Sequence, residues 1–315
     1  MSRRTPLVSD KPIDLLDHLE VCALTDPDGN ASVSQLKSDL GITGSVDAID
    51  EREQSAPNIS DSDYIEAAVE AAFTEAEYRI DACGSERYPF DLKRNAIFRR
   101  KSDFSSIYTF LLGLSQFGEA AVPGTDAAKL FEEVCAHASR TYFGCAENPA
   151  EYHIFGFPRR IGARDFCGAL EELCSRKIRE GKADKNFPTA YTKKDAGLDI
   201  VTWRPFPDRR SSKLIAFGQC ATGKNWWGKR YELQPETWCR TWMTKQPHLY
   251  PLKMFFVPHA ISSDEWAELG YAAGIIFDRF RVTHYAEKNL PEPLRSVLKR
   301  WSKAAFAANR NSLEL

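Results

Sequence analysis

The 315-residue sequence has no run approaching the roughly 20 consecutive apolar residues that a membrane-spanning helix requires. Its first residues, MSRRTPLVSDKP, are basic but have no apolar core, so no secretory signal is expected and a cytoplasmic setting follows. Eight cysteines stand at 22, 83, 135, 145, 167, 174, 220 and 239 without a single CxxC pair. That excludes a zinc ribbon and favours reduced thiols. No internal repeat, glycine-rich phosphate loop or GxSxG elbow is present. ATGK at 221–224 lacks the upstream glycine of a Walker A loop and is followed by Asn225 rather than Ser or Thr. The acidic turn beginning at Asp26 fails as a calcium loop, because Ala31 and Lys37 stand where Gly and Glu are needed. His248, His259 and His284 have neither HxxxH nor HxH spacing. A Cys220 nucleophile served by a distant histidine is a minor alternative, since most free cysteines are structural.

What is present is an ordinary globular composition, 43% hydrophobic and 27% charged, which excludes wholesale disorder. The length suggests about two domains. The net charge of −2 hides an asymmetry. Residues 1–150 hold 14 basic and 26 acidic residues, whereas 151–315 hold 28 and 18. The second half is therefore the one expected to meet a polyanion, and the acidic first half is expected to engage a protein partner or regulate.

Hydrophobic spacing divides the chain further. Residues 1–43 read as a short helical region, with helices over 13–24 and from about Ser32 or Ser34. Residues 44–62 are acidic, serine-rich and linker-like. Residues 63–150 carry Ile65, Val69, Phe73 and Ile80 at helical spacing, then apolar helices near 107–117 and 126–139, and read as an all-helical domain. From 151 to 315 the pattern changes. A helix capped by Asp165 precedes two β-rich runs, GLDIVTWRPF and KLIAFGQC, joined by the turn PDRRSS as an antiparallel hairpin. Helices and strands then alternate, which makes this half a mixed α/β domain.

The chemistry-bearing residues concentrate there. Metal-dependent phosphodiester cleavage needs carboxylates at strand ends to hold Mg²⁺ and a lysine to offset charge in the transition state. Asp199 sits inside a strand between Leu198 and Ile200, a costly place for an acid unless something binds it. Gln219 ends the second strand, and Lys224 follows five residues later. Around them Arg204, Arg209, Arg210, Lys213, Lys229 and Arg230 form a basic set suited to phosphates. Trp226 and Trp227 either stack on bases or join the core.

The segments D195-A-G-L-D199-I-V-T-W and K213-L-I-A-F-G-Q219-C-A-T-G-K224 resemble the PD-(D/E)xK, restriction-endonuclease-like nucleases over about residues 160–285. The resemblance implies a restriction-endonuclease-like core with Asp199 as a metal carboxylate, Gln219 at the second-strand acid position, and Glu171 or Glu172 as a helical carboxylate, Glu172 being the metal ligand. Lys224, with Lys229 in reserve, would be a displaced catalytic lysine, because Ala221 occupies the usual lysine position. It further implies a Mg²⁺- or Mn²⁺-dependent endonuclease acting on nucleic acid, DNA favoured, of the kind found among effectors of bacterial anti-phage defence. The alternative is a nuclease fold that has lost its metal site and serves as a nucleic-acid-binding scaffold.

Overall fold

The structure, a computed structural model, describes residues 11–32, 34–36, 61–93, 96–101, 103–159, 162–163, 165–186 and 194–313. Apart from Asp61 and Ser62, the expected acidic linker lies outside them, as does the helix expected after Ser34 beyond residue 36. The chain forms two compact units, Met1–Thr125 with Arg295–Leu315, and Asp126–Leu294.

In the first unit, α1 (Pro12–Thr25) leads to β1 (Asn30–Ser32), α2 (Asp61–Cys83), β2 (Phe90–Lys93), β3 (Ala96–Arg99) and α3 (Ile107–Phe117). The three strands form an antiparallel sheet in the order β1-β3-β2, so this unit is not all-helical as expected. The reason lies in the run from Phe90 to Arg99, where basic residues obscure a short hairpin with Phe90 and Ile97 buried. On α3, Gly113 admits two aromatic rings from the chain's last helix. A methyl there would stand 3.0 Å from Phe306 and 3.2 Å from Trp301.

Beneath α1 and α2 lies an ionic network. Arg79 is fully buried and donates to Asp17 at 2.6 Å, to Glu75 at 2.9 Å and to the Tyr108 hydroxyl at 3.1 Å. It also lies 3.0 Å from Glu20, which accepts from the hydroxyls of Tyr88 and Tyr108 at 2.7 and 2.8 Å. Burying several charges is tolerable only with this density of partners.

The second unit is built on a five-stranded mixed sheet. Its elements are α4 (Ala127–Phe143), β4 (Glu151–Ile154), α5 (Phe166–Glu172), β5 (Lys182–Ala183), β6 (Ile200–Arg204), β7 (Leu214–Cys220), α6 (Trp226–Lys229), α7 (Pro235–Trp242), β8 (Met243–Lys245), β9 (Leu252–Phe256), α8 (Ser263–Ala273), β10 (Ile275–Phe277) and α9 (Arg279–Ala286), before α10 (Glu292–Leu313). The sheet order is β10-β9-β7-β6-β4. β4, β6 and β7 run as an antiparallel meander, and β7, β9 and β10 are parallel. The expected hairpin is present, with Ile200 opposite Gly218 and Arg204 opposite Leu214. Asp165 caps α5 by accepting from the Gly168 N–H, and Ser262 caps α8 likewise from Glu265.

Alternation along the strands assigns the two faces. Val201, Trp203, Ile215 and Phe217 pack with Phe166, Leu170, Trp238 and Trp242 from α5 and α7. On the opposite face Thr202 hydrogen-bonds Ser139 of α4 at 2.7 Å. Phe256 stacks on Phe277 at 4.7 Å, and Phe277 meets Tyr142 of α4 edge-on.

The buried network of the first unit carries its own test. Arg79→Met strands Asp17 and Glu20 without their cation and should cost about 3–5 kcal/mol of stability, read as a lowered midpoint in urea unfolding. A change below about 1 kcal/mol would mean that the network contributes no more than an exposed ion pair.

Candidate active site

Asp199 enters β6 through a tight turn. Ala196 and Gly197 both adopt left-handed backbone, at φ 55° and 80°. Asp195 fixes the turn by accepting from the Gly197 N–H at 3.0 Å and from the Phe157 N–H at 3.3 Å. Beyond β4, the N–H groups of Phe155 and Gly156 both donate to the Asp199 carbonyl, at 2.7 and 3.0 Å. Two successive donors on one acceptor are the signature of a β-bulge, which re-aims a side chain. The Asp199 carboxylate accepts from the Cys220 N–H at 2.7 Å.

The second acid comes from α4. Asp126 caps that helix at the Lys129 N–H, 3.0 Å away, and so positions its first two turns. Lys129 and Glu132 follow at i and i+3, both buried, with the ammonium 2.9 and 2.7 Å from the two carboxylate oxygens. Glu132 and Asp199 close on one point, the α-carbon of Gly156. A methyl there would lie 2.7 Å from Glu132 Oε2 and 3.0 Å from Asp199 Oδ1. A side chain at 156 would have to displace one of the two carboxylates.

Packing makes this pair reluctant to ionise. Burial pushes Glu132 up to about 7 against the pull of Lys129, and Asp195 and Asp126 add to the rise. Asp199 keeps some solvent contact as a residue, yet the protein around its carboxylate desolvates it. That burial, then the neighbouring Glu132, hold its proton well above the usual carboxylate range, while the Cys220 N–H opposes them. Two carboxylates sharing one desolvated site are a recurring mark of functional chemistry.

A cavity of about 450 Å³ opens beside Gly156, and Lys129, His137, Tyr152, His153, Arg159 and Lys177 are among its lining residues. Burial and the adjacent Lys177 push His153 down to about 4, so its ring is neutral at pH 7.

The other expected site residues have different surroundings. Gln219 lies beside Asp199 in the sheet, but its amide donates to Glu232 at 2.8 Å. Strand alternation puts Gln219 on the same face as Ile215 and Phe217, toward α5 and α7, and Cys220 on the opposite face. Glu171 is half-buried and 3.8 Å from Lys185. Glu172 accepts from the Ala163 N–H at 3.3 Å and pairs with Lys177 at 3.5 Å. The helical acid beside Asp199 is therefore Glu132 rather than Glu171 or Glu172. Lys224 is exposed on the loop after β7, and Lys129 is the lysine next to the carboxylates.

Two residues expected on a phosphate-contacting rim are interior instead. Lys213 is buried, donating to the Ile178 carbonyl at 2.6 Å, and Arg230 is buried against Trp227 with its guanidinium 2.9 Å from Glu268. Arg204, Arg209 and Arg210 are exposed on the β6–β7 hairpin, and Lys229 is half-buried on α6. Trp226 stacks on His259 at 5.3 Å, and both tryptophans pack against the Phe255–Leu269 cluster. Among the described residues no group of three or more His, Cys, Asp or Glu forms a ready metal cage.

Glu132 and Lys129 were not singled out by the sequence. Nothing in the residue pattern marks them, since their burial beside Leu130, Phe131, Val134 and Cys135 is a product of the tertiary fold. No family model, curated protein or solved structure matches the chain.

The raised Glu132 predicts a pH dependence whose sign is fixed. An unfolded glutamate releases its proton near pH 4.3, whereas the folded one holds it to about 7. Over that window the native state binds more protons than the unfolded state, so this contribution is present at low pH and lost as pH rises. The stability of wild type minus that of Glu132→Gln, from urea unfolding, should fall between about pH 4.3 and 7. A flat or rising difference contradicts the assignment.

Proposed function

We propose that the protein is a divalent-metal-dependent nuclease whose centre is the Asp199–Glu132 carboxylate pair with Lys129. The observation that carries this reading is the convergence of two desolvated acids on Gly156 beside a cavity bearing Arg159 and Lys177. Hard oxygen donors held close together suit Mg²⁺ or Mn²⁺, and Mg²⁺ is commonly held by only one or two carboxylates plus waters and substrate phosphates. The fit therefore does not need a third acid. The resemblance to PD-(D/E)xK nucleases implied a strand acid, Asp199, and a helical acid, Glu171 or Glu172; in this proposal Glu132 takes the helical acid's role, because it is the one that lies beside Asp199.

Asp199 Oδ1 and a Glu132 oxygen would hold the metal, with Asp199 Oδ2 kept in position by the Cys220 N–H. The metal would stabilise negative charge on the scissile phosphate and lower the pKa of water. Engagement of Glu132 with the cation would weaken its hold on Lys129. The lysine ammonium would then be released toward a phosphate oxygen, where it offsets transition-state charge. Arg159 and Lys177 would orient the phosphate, and the exposed Arg204, Arg209 and Arg210 would meet the backbone of the nucleic acid further out. DNA remains the favoured polymer, a protein partner for the acidic N-terminal half remains part of the proposal, and anti-phage defence is the setting the resemblance suggests.

One observation favours the non-catalytic scaffold instead. Gln219 replaces an acid and is tied to Glu232, so the second strand adds no charge to the pair. Cleavage of plasmid and of RNA with Mg²⁺ or with EDTA separates the two readings. Asp199→Asn, Glu132→Gln and Lys129→Met should each lower Mg²⁺-dependent cleavage by roughly 10²–10³, while Glu171→Gln leaves it unchanged. Wild-type cleavage by Asp199→Asn would exclude this centre.

A further inference from the structure

We propose that Arg179, Lys182, Arg209 and Lys245 of the second unit form one cationic surface that binds the phosphate backbone of duplex DNA. The choice of polymer rests on the nuclease reading; the surface itself does not.

Three segments of the chain meet around one buried acid. Glu180 is buried and accepts from the Ser212 N–H at 3.0 Å and from the His248 N–H at 2.9 Å. Its Oε1 also lies 3.0 Å from His248 Nδ1. These bonds tie the β6–β7 turn, which carries Arg209, and the segment after β8 to the backbone next to Arg179. A methyl on Gly181 would stand 3.2 Å from the Lys245 carbonyl, and Lys182 is directly opposite Lys245 in the β5–β8 ladder. The four cations therefore belong to one place, fixed from beneath by Glu180.

Their charges are unanswered. All four side chains are exposed, and among the described residues none of their heads has an ion pair or hydrogen bond. Like charges directly opposite across a ladder repel, which is the position of Lys182 and Lys245. The two arginines stand on left-handed backbone, at φ 53° for Arg179 and 56° for Arg209, with Ser212 at 69°. Side chains rarely adopt that conformation, and it is retained where function requires it. Nearby acids are engaged elsewhere: Asp208 lies 3.8 Å from Arg210, and Asp184 accepts from the Asn186 N–H at 2.9 Å. A phosphate backbone meets such a set by charge alone, without base contacts. Residues 151–315, with 28 basic against 18 acidic residues, are the half that carries it. The segment holding Arg179 and Lys182 also begins at the cavity beside the carboxylate pair, where Lys177 is a lining residue.

The test is fluorescence anisotropy of a short labelled DNA duplex with the full chain, in EDTA, over a salt series. With four phosphates neutralised, the logarithm of the wild-type affinity should fall against the logarithm of salt with a slope of about −4. Lys182→Gln combined with Lys245→Gln should make the slope shallower by about 2 and weaken binding at low salt by at least about tenfold. Arg179→Gly removes one cation and suits the left-handed backbone, so its loss of binding, with a slope shallower by about 1, is not a folding defect. Lys299→Gln, exposed on α10, should bind as wild type. A double variant indistinguishable from wild type, no duplex binding by the folded protein, or equally tight binding of poly-glutamate, the mark of a surface for acidic protein, would each overturn the proposal. Duplex binding of this kind by a protein that cleaves nothing with Mg²⁺ would uphold the surface and reject the nuclease reading. Mg²⁺-dependent cleavage undiminished in the double variant would do the reverse.

Discussion

The second unit is organised around an electrostatic conflict: two carboxylates are brought to one glycine in a setting that resists their charge. Neither acid is required by packing, since the sheet and its flanking helices are already filled by Phe, Trp and Leu side chains. Holding Glu132 and Asp199 together costs stability, and Lys129 offsets only part of that cost. On the proposed reading, a cation entering between them would make this arrangement favourable, which is how a binding site differs from a structural ion pair.

The first unit supplies the contrast within the same chain. Arg79 also collects several acids, yet the side chains around it are hydrogen-bonded and Tyr88 and Tyr108 complete the set. There the cation is part of the protein. In the second unit the acids outnumber the cation beside them, and the backbone works to keep them in place. The cap at Asp126, the bulge at Phe155–Gly156 and the Cys220 amide each fix one side of the pair.

Legibility in the sequence followed the strength of local signals. The hairpin carrying Asp199 and Gln219 was readable because β-branched and aromatic runs flank a turn, and an acid within such a run stands out. The helix read over 13–24, found at 12–25, and that at 107–117 were readable from their apolar runs, and that at 263–273 from its serine cap. Glu132 was not, because an acid in a charged helix ordinarily faces water, and only the tertiary fold turns that face inward. Lys213 and Arg230 failed in the same way from the other side: a cation near a hairpin suggests a surface, while here each is buried, Lys213 donating to the Ile178 carbonyl and the two terminal nitrogens of Arg230 to the Trp227 carbonyl and Glu268. The hairpin from Phe90 to Arg99 was hidden by brevity and basic residues. Gln219 was read beside Asp199 correctly as sheet neighbours, but the facing of its side chain depended on Cys220 and the bulge, neither of which leaves a mark in the residue pattern.

The central claim is that Glu132 and Asp199 are a proton-holding pair that yields to a divalent cation. Calorimetric titration of Mn²⁺ into the wild-type protein near pH 6.5, repeated in buffers of different ionisation enthalpy, measures the protons released per metal bound. The account predicts saturable binding with net proton release, falling as pH rises past 7 and absent in Asp199→Asn. Binding with no proton release, or no binding at all by the folded protein, would contradict it.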